Sequence, residues 1–276
     1  VNAASISLLT GTIVQVQAAY TANTAGTITG LADRAVKISD SSVTATDLNN
    51  LNSATTGSID ASSVTSISGL GSDLVGIYSA SGEISGLGTE NVSITDTGTL
   101  ASSTVTSIDA YTTGTVTLSG AGSLTLSSTA GQTVDLSGVT NSLSGTLTIN
   151  DSTGDEIITG TSGNDIINIS SGSDTVNAGN GADTINIAID NLDNADTVNG
   201  GNGTDSINFS SSGTLTSTDL TNVSDVENLN FSSGNDTFSF TDKADYDSTI
   251  SKFSAVSGGS GTDSIDFSSA VNGDLD

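Results

Sequence analysis

From residue 158 an aliphatic side chain returns every nine positions, at Ile158, Ile167, Val176 and Ile185, and the rhythm resumes four residues late at Val198 and Ile207. An acid stands two residues before each mark: Glu156, Asp165, Asp174, Asp183, Asp196 and Asp205. Isolated copies follow in "SSGNDTFSF" (232–240) and "GGSGTDSIDF" (258–267), which add Asp236 and Asp263. A short fixed period marks a repeat architecture, in which one small supersecondary unit is stacked on its neighbours. The chain must then bring like charges together, and something must neutralise them.

The best copy, "GGNGTDSIN" (200–208), matches G-G-x-G-x-D-x-U-x at every defined position. "AGNGADTIN" (178–186) lacks the first glycine, "GTSGNDIIN" (160–168) lacks the second, and "ISSGSDTVN" (169–177) keeps only the later half. On these residues the segment from about 155 to 208 resembles the RTX nonapeptide proteins, whose repeats form a parallel β-roll that binds calcium. Six residues make a turn in which glycine permits positive φ, and three make a strand whose aliphatic points inward. Two nonapeptides complete a coil, and turns stack at about the 4.8 Å spacing of neighbouring strands. Carboxylates at that spacing repel, and calcium, taking six to eight hard oxygen ligands, bridges them. With neither His nor Cys in the chain, oxygen donors favour calcium over zinc or copper.

The resemblance implies as metal residues Glu156, Asp165, Asp174, Asp183, Asp196, Asp205, Asp236 and Asp263, with Gly163, Gly181 and Gly203 in the turns. It pairs Asp165 with Asp183, Glu156 with Asp174, and Asp183 with Asp205 if the insertion "IAIDNLDN" bulges out. Glutamate at 156 departs from the family's aspartate, and the glycines missing at 169, 170 and 178 mark weaker sites. Several calcium ions, about three to five, are expected.

The first 150 residues have another texture. "TITGLADRAVKISD" (27–40) and "EISGLGTENVSITD" (83–96) share isoleucine, glycine, leucine, valine, isoleucine and aspartate at matched positions, 56 residues apart. "GTVTLSG", "SLTLSS" and "GTLTIN" alternate apolar residues with Thr or Ser, a strand pattern. Helical periodicity is scarce. Only "TATDLNNLNSA" (44–54) suggests a helical turn, with Thr46 or Asp47 as its cap. Asp40, Asp60, Asp96 and Asp109 lack the G-x-G-x-D context and read as turn caps. The fold expected is all-β: a degenerate Ser/Thr/Gly-rich parallel β-solenoid over 1–150, followed by an RTX-type parallel β-roll over 151–276.

Composition narrows the function. Formal net charge is −27, from 31 acidic and 4 basic residues (Arg34, Lys37, Lys243 and Lys252). A chain so acidic does not bind nucleic acid or an anionic membrane surface. Leu, Ile, Val and Phe only slightly exceed the ~20% below which a highly charged chain is disordered, so the core is thin and bound cations are expected to help hold it. Without Cys there is no disulfide, and no apolar run spans a bilayer. Without His or Cys the Ser-His and Cys-His catalytic arrangements cannot be built, and no enzymatic role is expected. Sequons at Asn91, Asn168, Asn202, Asn208, Asn222 and Asn230 are cheap matches in an Asn- and Ser-rich chain, and the four tyrosines read as packing.

The Ser/Thr/Gly-rich array resembles segments of bacterial surface-layer proteins and large repetitive adhesins. The function expected is structural: a secreted, extracellular subunit of a cell-surface layer or filament, assembling with its own copies in a calcium-dependent way, with cell-surface polysaccharide as a second partner class. The alternatives are a spacer segment of an RTX adhesin and a calcium-folded RTX domain of a secreted enzyme or toxin.

Overall fold

Strands whose apolar residues alternate with Thr, Ser or Asn bury one face each, and stacking them in parallel makes one core out of many short pieces. The computed structural model describes residues 1–267. The chain divides into two compact units, one formed by residues 1–100, 104–121 and 142–144, the other by residues 101–103, 122–141 and 145 onward.

In the first unit, strands Leu8–Gly11, Ala35–Ile38, Ile59–Asp60 and Ile84–Ser85 form one parallel sheet. Strands Ser42–Thr44, Ser66–Gly69, Asn91–Ile94 and Val116–Leu118 form another. Val43, Ile67, Val92 and Val116 stack rung on rung, so a coil takes 24 or 25 residues. The 56-residue copy in the sequence does not follow this stack. Val36 and Val92, matched in sequence, lie in different sheets. What the copies share is a local turn: Gly30 and Gly86 both sit at φ 85°, and a Cβ there would lie 2.9 Å from the Ala4 nitrogen and 2.6 Å from that of Ser62.

Strands are linked by helices that period counting does not reveal: Ile13–Thr24, Gly71–Ser79 and Ser102–Tyr111, besides Ala45–Ala54. The last lies where a helical turn is expected, but its cap is Thr44, whose hydroxyl accepts from the Asp47 N–H (3.1 Å). Each helix buries only two or three apolar side chains, such as Ile13, Val16 and Tyr20, or Leu74, Ile77 and Tyr78. Two acids expected at turns cap helices one coil back: Asp40 Oδ2 accepts from Ile13 N–H (2.7 Å) and Asp96 Oδ2 from Gly71 N–H (2.6 Å). Asp60 accepts from Ser62 N–H (2.9 Å) and pairs with Lys37 (2.5 Å), whereas Asp109 lies within helix Ser102–Tyr111.

The second unit is the roll. Its long sheet stacks strands 124–127, 147–150, 165–168, 184–187, 206–209, 228–230 and 255–257. Strands 133–135, 157–159, 175–177, 197–199 and 223–224 form a second sheet, and 214–216, 237–239 and 264–266 a third. Ile149, Ile167 and Ile185 are rung partners 18 residues apart, two nonapeptides per coil as expected. From Leu126 to Leu229 the buried rungs of the long sheet are all fully shielded from solvent, and each contributes about 1.5–3 kcal/mol of apolar burial. The insertion before Val198 leaves register intact, Ile185 pairing with Ile207. It does not simply bulge out: a short 3₁₀ turn at Ile189–Asn191 tucks Ile189 and Leu192 into the core.

An asparagine ladder runs along the long sheet. The amide nitrogens of Asn168, Asn186, Asn208 and Asn230 donate to the side-chain oxygen one coil back, at 2.6, 2.8, 3.3 and 2.8 Å. The sequon residues Asn168, Asn208 and Asn230 thus have their side-chain amides engaged. Towards the far end the core turns aromatic, with Phe209, Phe231, Phe238 and Phe240 in successive ring contact at 4.4–5.7 Å.

Candidate metal centre

The site is built on backbone stacking that only glycine permits. Gly181 and Gly203 have φ of 130° and 147°. A Cβ on Gly203 would lie 1.5 Å from the Gly181 carbonyl oxygen, and one on Gly181 would lie 2.7 Å from that of Gly163. Gly163 is different: it has no positive φ, and its nearest neighbour would be 3.7 Å away.

This stacking sets the acids into ladders. In one, the N–H of Glu156 donates to Asp174 Oδ1 (2.9 Å) and that of Asp174 to Asp196 Oδ1 (2.8 Å). In the other, Asp165 N–H donates to Asp183 Oδ1 and Asp183 N–H to Asp205 Oδ1, both at 2.8 Å. Asp205 N–H then donates to Glu227 Oε2 (2.7 Å). A third, shorter run joins Gly213 N–H to Asp236 (2.9 Å) and Asp236 N–H to Asp263 (3.1 Å). Every carboxylate of these ladders but that of Asp165 thus takes one main-chain hydrogen from the coil before it, Glu156 from Gly131 N–H (2.6 Å).

The second oxygen separates the acids into groups. Glu156 Oε2, Asp174 Oδ2, Asp183 Oδ2 and Asp205 Oδ2 are buried with no hydrogen-bond partner. Asp165 is held by its own turn, through Thr161 N–H (2.7 Å) and the Thr161 hydroxyl (3.0 Å). Asp196 Oδ2 accepts from Asp193 N–H (2.9 Å), and Asp236 Oδ2 from the Ser232 hydroxyl (3.4 Å). Asp263 is exposed.

Buried carboxylates without partners are costly unless a counter-charge or a proton reaches them. Burial accordingly pushes Asp165 and Asp174 up to about 6 and Asp183 up to about 7. Neighbouring carboxylates add to this, Asp196 and Glu156 at Asp174, Asp165 and Asp205 at Asp183. Asp196 and Asp205 are raised for the same first reason. Orphaned hard oxygens on stacked rungs suit a divalent cation of the calcium type, and the donor set contains nothing softer.

Two acids of these surroundings escape the nonapeptide pattern. Glu227 continues the second ladder and does stand two residues before an aliphatic, Leu229, but no glycine turn precedes it. Asp151 opens the turn of Glu156, where the pattern has glycine, and nothing in the spacing marks it. Burial pushes it up to about 7, and the adjacent Glu156 and Asp174 add to the shift.

The model of the RTX calcium-binding nonapeptide repeat matches residues 151–185 and 192–211, in four copies. The gap between the two stretches coincides with the insertion that forms the 3₁₀ turn. No curated protein and no solved structure matches the chain. The turn-and-strand units of residues 151–185 and 192–211 are RTX calcium-binding nonapeptide repeats, and the cofactor they take is calcium, several ions to the roll.

Proposed function

We propose that this chain is a structural extracellular protein, a subunit that assembles with its own copies into a surface layer or filament, and that calcium controls its folding and assembly. The observation that carries the calcium dependence is the row of buried oxygens on Glu156, Asp174, Asp183 and Asp205 that no protein donor reaches. In this reading those acids hold the ions together with Asp165, Asp196 and Asp236, and the turns at Gly163, Gly181 and Gly203 bring main-chain oxygens alongside. Asp263, being exposed, is the weakest member. RTX-repeat proteins are typically secreted, which supports an extracellular setting. No helix among the described residues is long and apolar enough to cross a membrane. No catalytic role is proposed.

Assembly finds support at the sheet edges. Among the described residues, Leu8–Gly11, 255–257 and 264–266 are outer strands, and they expose Leu8, Val256 and Ile265 at 48, 41 and 55%. Apolar strand edges pair with further strands. A second copy supplies those strands in a lattice, while the next repeat of a longer chain supplies them in an adhesin spacer, which is the second reading.

Calcium titration into chelator-treated protein, following far-UV circular dichroism and particle size together, separates the two. Strand signal and large assemblies rising together support the lattice subunit. Strand signal with a strictly monomeric particle moves the spacer ahead. No change in either removes calcium-dependent folding altogether.

A further inference from the structure

The first turn of the roll, residues 151–156, breaks the repeat twice. It has Asp151 where the turns at 160 and 200 have glycine, and Glu156 where they have Asp165 and Asp205. On the pattern alone this turn is a degenerate copy. In three dimensions the two departures meet. One oxygen each from Asp151, Glu156 and Asp174 lie within 4.8 Å of one another. Glu156 and Asp174 are each 1% exposed, and both keep a buried oxygen, Oε2 and Oδ2, without a partner.

The remaining oxygens are pinned by main-chain N–H and hydroxyl groups. Glu156 Oε1 accepts from Gly131 N–H (2.6 Å) and the Ser152 hydroxyl (3.0 Å). Asp174 Oδ1 accepts from Glu156 N–H (2.9 Å). Asp151 accepts from Ser170 N–H (3.1 Å) and the Ser128 hydroxyl (3.5 Å). Three carboxylates are therefore fixed with a shared inward side and no cationic side chain among their partners. Mutual repulsion in a buried setting opposes that arrangement unless a cation occupies its centre or a proton is taken up.

We propose that Asp151, Glu156 and Asp174 form a divalent-cation site of their own, in which the Asp151 carboxylate supplies the donor that the missing glycines no longer provide. The longer glutamate side chain closes the distance to Asp151, so the two substitutions belong together. The site takes a hard cation such as calcium, with three full charges facing it where an ordinary rung offers two. It rests on the calcium reading of the neighbouring rungs and is separable from it.

The test is the number of calcium ions bound per chain, by equilibrium dialysis at saturating calcium, in wild type, Asp151→Asn, Asp151→Gly and Asp183→Asn, with circular dichroism recorded alongside. Asparagine keeps the acceptor for Ser170 N–H, and glycine is the residue that positions 160 and 200 carry at this point of the turn, so both variants keep the turn while removing the charge. The expected result is one ion fewer in both Asp151 variants, with strand signal retained. Full wild-type binding in either folded variant overturns the proposal. If wild type itself binds no calcium, the triad and the reading of the ladders fall together; if Asp183→Asn loses none while Asp151→Asn does, the triad stands and the reading of the ladders falls.

Discussion

At the scale of single residues, two glycines of the same motif position have opposite structural weight. Gly203 lies at φ 147° with a Cβ site 1.5 Å from a carbonyl oxygen, whereas Gly163 has ordinary φ and open space to 3.7 Å. Gly203→Ala is expected to cost several kcal/mol, about 3 or more, because strain and clash add. Gly163→Ala is expected to stay within about 0.5 kcal/mol. Denaturant unfolding in calcium checks both, and equal effects would show that motif position rather than backbone geometry decides. The acids give a pH dependence with a definite sign. Asp165 and Asp174 are raised to about 6 and Asp183 to about 7 in the folded roll, against about 3.9 in an unfolded chain. Between about pH 4 and 7 the calcium-free folded roll binds more protons than the unfolded chain, so its stability rises as pH falls. Calcium-free protein should gain strand signal on going from pH 8 to pH 5, and the calcium dissociation constant should rise over the same interval as protons compete for the oxygens. An unchanged calcium-free spectrum across that range would mean that carboxylate burial is not what calcium relieves.

At the scale of elements, legibility depended on where each element finds its partners. The strands of the roll were plain because the nine-residue mark reports each inward side chain directly, and rungs such as Ile149, Ile167 and Ile185 fall where it puts them. The acid ladders were legible in outline for the same reason. Glu227 obeys the acid-before-aliphatic spacing and was lost only because no glycine announces it; Asp151 breaks the pattern, and only the folded turn brings it to Glu156 and Asp174. Three helices of the first unit, unlike Ala45–Ala54, were not legible, and two of these take a cap from one coil downstream. Helix Gly71–Ser79 follows Leu70, which offers no side-chain cap, and depends on Asp96. Helix Ile13–Thr24 has Asp40 as well as a capping box of Thr12 and Gln15. Asp96→Ala should therefore cost about 1–2 kcal/mol, and Asp40→Ala less than about 1. Thermal unfolding of the two variants measures this, and a larger loss in Asp40→Ala would show that the local box contributes little.

At the scale of the whole molecule, the two units answer the same surplus of negative charge in different ways. The buried acid of the first unit, Glu90, is satisfied by protein donors: the Tyr78 hydroxyl at one oxygen, the N–H groups of Gly88 (2.7 Å) and Thr89 (3.0 Å) at the other. Asp40 and Asp96 are bound to helix N-termini, where negative charge is favoured. In the second unit four buried carboxylate oxygens have no donor among the described residues, and in the calcium reading the equivalent role falls to ions. Cation binding stabilises the cooperative unit that binds the cation, so removal of calcium should act on the roll. In the full chain treated with chelator at pH 7.5, hydrogen exchange followed by mass spectrometry should show peptides within 155–208 losing protection, while peptides within 36–94 keep theirs. Loss of protection in both stretches together would mean that the first unit is folded only through the second, and the calcium-dependent element would then be the entire chain rather than the roll.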